Sequence, residues 1–108
     1  MNKPLLEEIG APAMLEQTAE ECCELGKACL KLARIMRDEN KAYISYVDAL
    51  DNLTEEIADV KLCIENLSGP ADEVERGKAI VDEKKIRKEY TRKVQRMIDR
   101  LYEMHKEV

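Results

Sequence analysis

Two short acidic runs, Glu20-Glu21-x-x-Glu24 and Glu55-Glu56-x-x-Asp59, are where residue type and spacing offer chemistry in this chain. Positions three apart share a face of an α-helix, so Glu21 stands with Glu24 and Glu56 with Asp59. Thirty-five residues separate Glu21 from Glu56, and Glu24 from Asp59, so one device occurs twice. Carboxylates brought together repel, and burying them unpaired is costly, so cations have to compensate. Two divalent ions would balance four such charges. Ligation by oxygen alone suits Mg²⁺, with Mn²⁺ as the alternative. Redox iron fits poorly, because di-iron carboxylate bundles take a Glu-x-x-His from two helices and the single histidine is His105. The cysteines Cys22, Cys23, Cys29 and Cys63 contain no Cys-x-x-Cys pair, which argues against zinc. The plainer reading is that the acids are salt-bridged at a helix interface, with Lys27, Lys31 and Lys61 as partners.

Helices must position these acids, since helical periodicity dominates and no alternating stretch predicts a strand. Pro4 suits the first turn of a short helix that Gly10 ends. Pro12 opens a long helix to about Asp38 or Glu39, and residues 40–45 form a loop. A second long helix runs from about Tyr46 or Val47 to Leu67, stopped by Ser68-Gly69-Pro70. Asp72 is placed to cap a third helical region, which Gly77 divides before one last long helix. The prediction is a single all-α domain over residues 1–108, an antiparallel bundle of about four helices.

Projected at about 100° per residue, Leu15, Cys22, Cys29 and Met36 fall on one line, flanked by Ala19, Gly26 and Ala33. That stripe is the expected buried face of the first long helix. Glu21 falls on its apolar extension between Leu32 and Ala28, Glu24 on the edge, and Glu20 on the wet side. In the second long helix, Leu50, Leu53, Ile57, Val60 and Ile64 form the expected buried face. Glu56 projects among Ala49, Cys63 and Leu67, with Asp59 about 60° further round. Helices joined by a short loop pack antiparallel, so the two acid pairs can converge.

The chain has 108 residues, a net charge of −5, 44% hydrophobic and 38% charged residues. It is too apolar for disorder and too acidic for bulk-charge binding of nucleic acid. No segment has the length of a membrane span, and the first ten residues lack the apolar run of a secretory leader. The expectation is a cytoplasmic protein with reduced, buried thiols. With no Phe or Trp the core is thin for a solitary small domain, which predicts a homodimer or homotetramer.

Glu20-Glu21-Cys22-Cys23-Glu24 followed by Glu56-Ile57-Ala58-Asp59 resembles the EExxE…ExxD signature of the MazG-like, all-α nucleoside triphosphate pyrophosphohydrolases. The resemblance covers Leu15 to Leu67 and, more loosely, the basic helix after Asp82, with a gap between the half-motifs longer than is typical. It implies hydrolysis of a nucleoside triphosphate between its α- and β-phosphates, giving the monophosphate and pyrophosphate. It also implies metal ligation by Glu21, Glu24, Glu56 and Asp59. Metal ions would neutralise phosphate charge and activate the attacking water. Glu20 or Glu21 would take its proton, a choice the sequence leaves open, and Glu20 has the alternative of orienting Glu24.

Similar proteins carry Lys and Arg at about this point of the last helix, which gives Lys85, Lys88 and Arg92 as phosphate ligands. Tyr43 and Tyr46 are placed to stack on a base, although packing explains them equally. The apolar Tyr90, Val94, Met97, Ile98 and Leu101 are expected in the core or a subunit interface. A non-catalytic helical interaction protein is the competing reading. A chorismate mutase-like bundle fits less well, since that chemistry needs Arg and Lys in the pocket in place of four converging acids.

Overall fold

In the computed structural model, which describes residues 4–39 and 44–106, five helices carry nearly all the regular structure. They are α1 (Pro4–Ile9), α2 (Ala11–Met36), α3 (Tyr46–Leu67), α4 (Ala71–Glu75) and α5 (Glu83–Lys106). Two-residue strands β1 (Ser68–Gly69) and β2 (Val81–Asp82) pair in parallel, Ser68 opposite Val81. The chain divides between Leu67 and Ser68 into two compact units. The all-α class is as expected; Tyr43 lies outside the described residues.

Local chemistry sets the helix ends. Gly10 alone separates α1 from α2, at φ 84° and ψ 167°, a region open only to glycine. Ser45 caps α3, its hydroxyl accepting the Asp48 amide at 3.1 Å. Asp82 does the same for α5, accepting the Lys84 amide at 2.9 Å. Asp72 is not the cap of α4. Pro70, at φ −64° and ψ 158°, takes the cap position two residues earlier, and the Asp72 carboxylate binds Arg76 at 2.9 Å. The expected break at Gly77 is present: Lys78 and Gly77 donate to the Glu73 and Val74 carbonyls, a Schellman ending with glycine at φ 73°.

α2 ends in the same motif, Glu39 donating to Arg34 and Asp38 to Ile35, but with Asp38 at φ 61° where glycine is favoured. Relieving that left-handed strain by Asp38→Gly is expected to raise stability by about 0.5–1 kcal/mol in urea melts. An unchanged or lower midpoint would rule the strain out.

In the first unit, Thr18 meets Cys63 while Glu21 meets Glu56 and Asp59, so α2 and α3 run antiparallel. Each contributes a seam with the four-three spacing of a left-handed helix pair. On α2 it runs Met14, Thr18, Glu21, Leu25, Ala28, Leu32; on α3 Ala49, Leu53, Glu56, Val60, Cys63, Leu67. Met14, Ala28, Leu32, Ala49, Val60 and Cys63 are buried there, and α1 adds Leu6.

This corrects the expected buried faces. Leu15 (49% exposed), Cys22, Cys29 and Met36 (64% exposed) lie outside the core, as do Leu50, Ile57 and Ile64. The apolar arc of each helix is wider than one neighbour covers, and α2 and α3 meet through the part centred on the two glutamates. Cys63 is the one buried thiol; Cys22, Cys23 and Cys29 are exposed.

In the second unit, the β1–β2 pair joins the segments before α4 and at the start of α5. No residue of α5 is buried, so Tyr90, Met97, Ile98 and Leu101 are exposed and Val94 is half-buried. Among the described residues of the second unit they form no buried core.

Candidate metal centre

Glu21 and Glu56 each occupy the third position of a six-residue seam, where a leucine would ordinarily sit. The antiparallel arrangement brings them together with Asp59, one turn beyond Glu56. One carboxylate oxygen from each of Glu21, Glu56 and Asp59 lies within 4.8 Å of the other two. Glu21 and Glu56 are half-buried, and Asp59 is exposed at the edge.

The surroundings differ from one oxygen to the next. Gln17 Nε2 donates to Glu21 Oε1 at 2.9 Å, which holds that carboxylate in place. Glu56 Oε2 is buried and has no hydrogen-bond partner. Among the described residues, no lysine or arginine forms an ion pair with Glu21, Glu56 or Asp59. The salt-bridge reading therefore fails for these three. Lys27 does pair with an acid, but with Glu24, at 3.3 Å and in the open. Glu24 thus stands outside the cluster. An exposed pair of this kind contributes at most about 1 kcal/mol, so little holds Glu24 back from an ion.

Desolvation pushes the Glu56 carboxyl above its ordinary 4.5, and the charges of Asp59, Glu21, Glu24 and Glu55 push it further. Burial likewise raises the Cys63 thiol beneath the site; Glu21, Cys22 and Asp59 add to the rise, while a hydrogen bond with Thr18 opposes it. The metal-free fold therefore holds a proton on Glu56 to higher pH than the unfolded chain does. The stability from that proton is full below the ordinary carboxyl value and is lost as pH rises through the raised one. Urea melts in EDTA between about pH 4 and pH 8 are expected to show this decline. Glu56→Gln should flatten it, and an unchanged slope in that variant would assign it to other groups.

The donor set fits a hard divalent cation. At about 2.1 Å from Mg²⁺, ligand oxygens are roughly 3 Å apart when adjacent and 4.2 Å when opposite. The observed spacing is within a small side-chain adjustment of that geometry. Such an ion would also give Glu56 Oε2 the partner it lacks.

Glu20 is exposed on α2. Lys85, Lys88 and Arg92 are exposed on α5, Arg92 held by Glu89 at 2.9 and 3.1 Å. The residue that sequence reasoning passed over is Gln17, which holds Glu21. Its spacing of four from Glu21 was the available signal.

Compared with protein-family models, with curated proteins and with solved structures, the chain matches none.

Proposed function

We propose that this protein is a Mg²⁺-dependent nucleotide pyrophosphohydrolase that cleaves a nucleoside triphosphate between its α- and β-phosphates. The observation that carries the reading is that Glu56, one of whose oxygens is buried without a partner, brings a carboxylate oxygen within 4.8 Å of one from Glu21 and one from Asp59. A scaffold that only bound other helices would gain nothing from two acids at the centre of its one packed seam. The acid pattern's resemblance to MazG-like enzymes points the same way.

Glu21, Glu56 and Asp59 would hold the ion, and Glu24 would join them on leaving Lys27. Mn²⁺ is the alternative occupant. The ion, when bound, supplies charge neutralisation on the phosphates and activation of water. Gln17 fixes the Glu21 carboxylate, so its orientation is set before substrate arrives. Glu20, exposed one residue before Glu21, is the carboxylate we assign to accept the proton. Lys85, Lys88 and Arg92, the phosphate ligands that the resemblance implies, stand on α5 of the second unit, Arg92 held by Glu89.

The experiment is product analysis across ribo- and deoxynucleoside triphosphates with Mg²⁺, Mn²⁺ or EDTA. Monophosphate plus pyrophosphate, lost in EDTA, is the expected result. Orthophosphate as product would place the cleavage at the wrong bond. No turnover of any nucleotide together with no metal binding would leave the helical interaction protein as the better reading.

A further inference from the structure

Four carboxylates around one divalent ion still carry net negative charge. A phosphate chain is itself an anion, so one that shares the coordination sphere of such an ion has to be met by a cation of the protein. Within the first unit, the lysines that sequence reasoning set against these acids are Lys27, Lys31 and Lys61. Lys61 is two residues from Asp59 and so almost opposite it on α3, where it lines an apolar groove with Ile57 and Ile64. Lys31 is ten residues from Glu21, about 15 Å along the axis of α2. Lys27 is six residues from Glu21, about 9 Å along the axis, and stands one turn beyond Glu24. A lysine side chain on one hand and an ion-bound phosphate on the other can span that interval.

Lys27 is already engaged. Its ammonium donates to Glu24 Oε1 at 3.3 Å, with both side chains open to solvent, 70% and 52% exposed. A pair so long and so exposed is weak, which makes it easy to exchange. Glu24 lies outside the cluster of Glu21, Glu56 and Asp59, yet its charge is felt at Glu56. It therefore stands between two cations in competition, the ammonium of its own helix and an ion held by the other three acids. Whenever Glu24 turns to the ion, the Lys27 charge loses its partner within reach of the same centre.

We propose that Lys27 is a phosphate-binding residue of this site, held at rest by Glu24 and released to the substrate when Glu24 turns to the metal. The inference rests on the metal-centre reading above and adds that two charges exchange partners there. Lys27 thereby opposes metal binding while substrate is absent and favours substrate once metal is in place. The pair that looks like ordinary surface charge is the resting state of an ionic switch.

The test compares the full chain with Lys27→Met, Lys27→Arg, Glu24→Gln and the Lys27→Met, Glu24→Gln double variant, with circular dichroism to verify their helices. Titration calorimetry measures two affinities, for Mn²⁺ alone and for the Mg²⁺ complex of inorganic tripolyphosphate in saturating Mg²⁺. Lys27→Met is expected to bind Mn²⁺ roughly two- to fivefold more tightly, the range that an exposed ion pair allows. The same variant is expected to bind the tripolyphosphate complex about tenfold more weakly or worse, the loss of a charged hydrogen bond. Lys27→Arg, which keeps the charge, is expected to stay near the parent in both. In the Glu24→Gln background, Lys27→Met is expected to leave Mn²⁺ affinity unchanged.

The opposite signs are the signature, since loss of a merely structural lysine would move both affinities together or neither. Unchanged tripolyphosphate binding in Lys27→Met overturns the phosphate role. A gain in Mn²⁺ affinity that persists without Glu24 overturns the exchange, because it then reflects overall charge and not the pair. If neither parent nor variants bind Mn²⁺, the metal centre and this inference fall together. If the split appears and no nucleotide is hydrolysed, the pyrophosphohydrolase reading falls and the exchange stands.

Discussion

Glu56→Gln is expected to cut Mg²⁺-dependent pyrophosphate release at least about 100-fold, a lower bound set by the losses seen when even residues around a metal's ligands are changed. The same substitution is expected to make the metal-free protein melt higher. Both follow from one side chain. With an ion present, Glu56 contributes a negative ligand from the middle of the packed seam. Without one, its buried oxygen has no hydrogen bond and is crowded by Asp59, Glu21 and further acids. The amide keeps the shape and removes the charge. Stability would thus be traded against function at one position, a common signature of a site strained for its task. Melting curves in EDTA and a pyrophosphate assay measure the two halves. A variant that melts lower than the parent in EDTA would mean that Glu56 is structural.

Saturating Mg²⁺ or Mn²⁺ is expected to raise the melting temperature by roughly 10 °C, since ligand at 100 times its Kd adds about 2.7 kcal/mol to a domain of this size. Protons compete for Glu56, so the shift should grow with pH through the carboxyl titration described above. Glu21→Gln should lose most of the shift, whereas Glu24→Gln should lose less, because Glu24 begins outside the cluster and paired with Lys27. Equal losses in the two variants would mean that all four acids bind alike. A shift that no acid variant diminishes would place the ion elsewhere.

Helix boundaries were the legible part of this chain. Pro4, Gly10, Pro12, Ser68-Gly69-Pro70 and Gly77 all act through backbone geometry, which a single residue controls. The phase of burial was less legible. Two stripes one residue apart, Met14 to Leu32 and Leu15 to Met36, satisfy the same four-three rule. Which of them meets α3 depends on the partner helix, and local pattern does not encode that choice. The displacement raised the significance of the acids, moving Glu21 and Glu56 from the shoulder of the expected face to the centre of the observed one. The β1–β2 pair was illegible because two residues per strand carry no periodicity. Glu24 was expected among the ligands but stands outside the cluster, paired with Lys27, since a helix projection shows direction and is silent about the lysine one turn away.

The seams of α2 and α3 repeat every seven residues, so apolar packing alone distinguishes poorly between the native alignment and one slid by a heptad. Such a slide keeps apolar side chains facing apolar side chains but moves Glu56 about 10 Å along the axis, away from Glu21. Alone, the two like charges prefer to part, and in the absence of an ion the acids tip the hairpin towards misalignment. With a divalent ion binding both, one alignment gains an energy that every other forfeits. The glutamates then act as a register key, the role a lone asparagine plays in some coiled coils, but a key that turns only when metal is present.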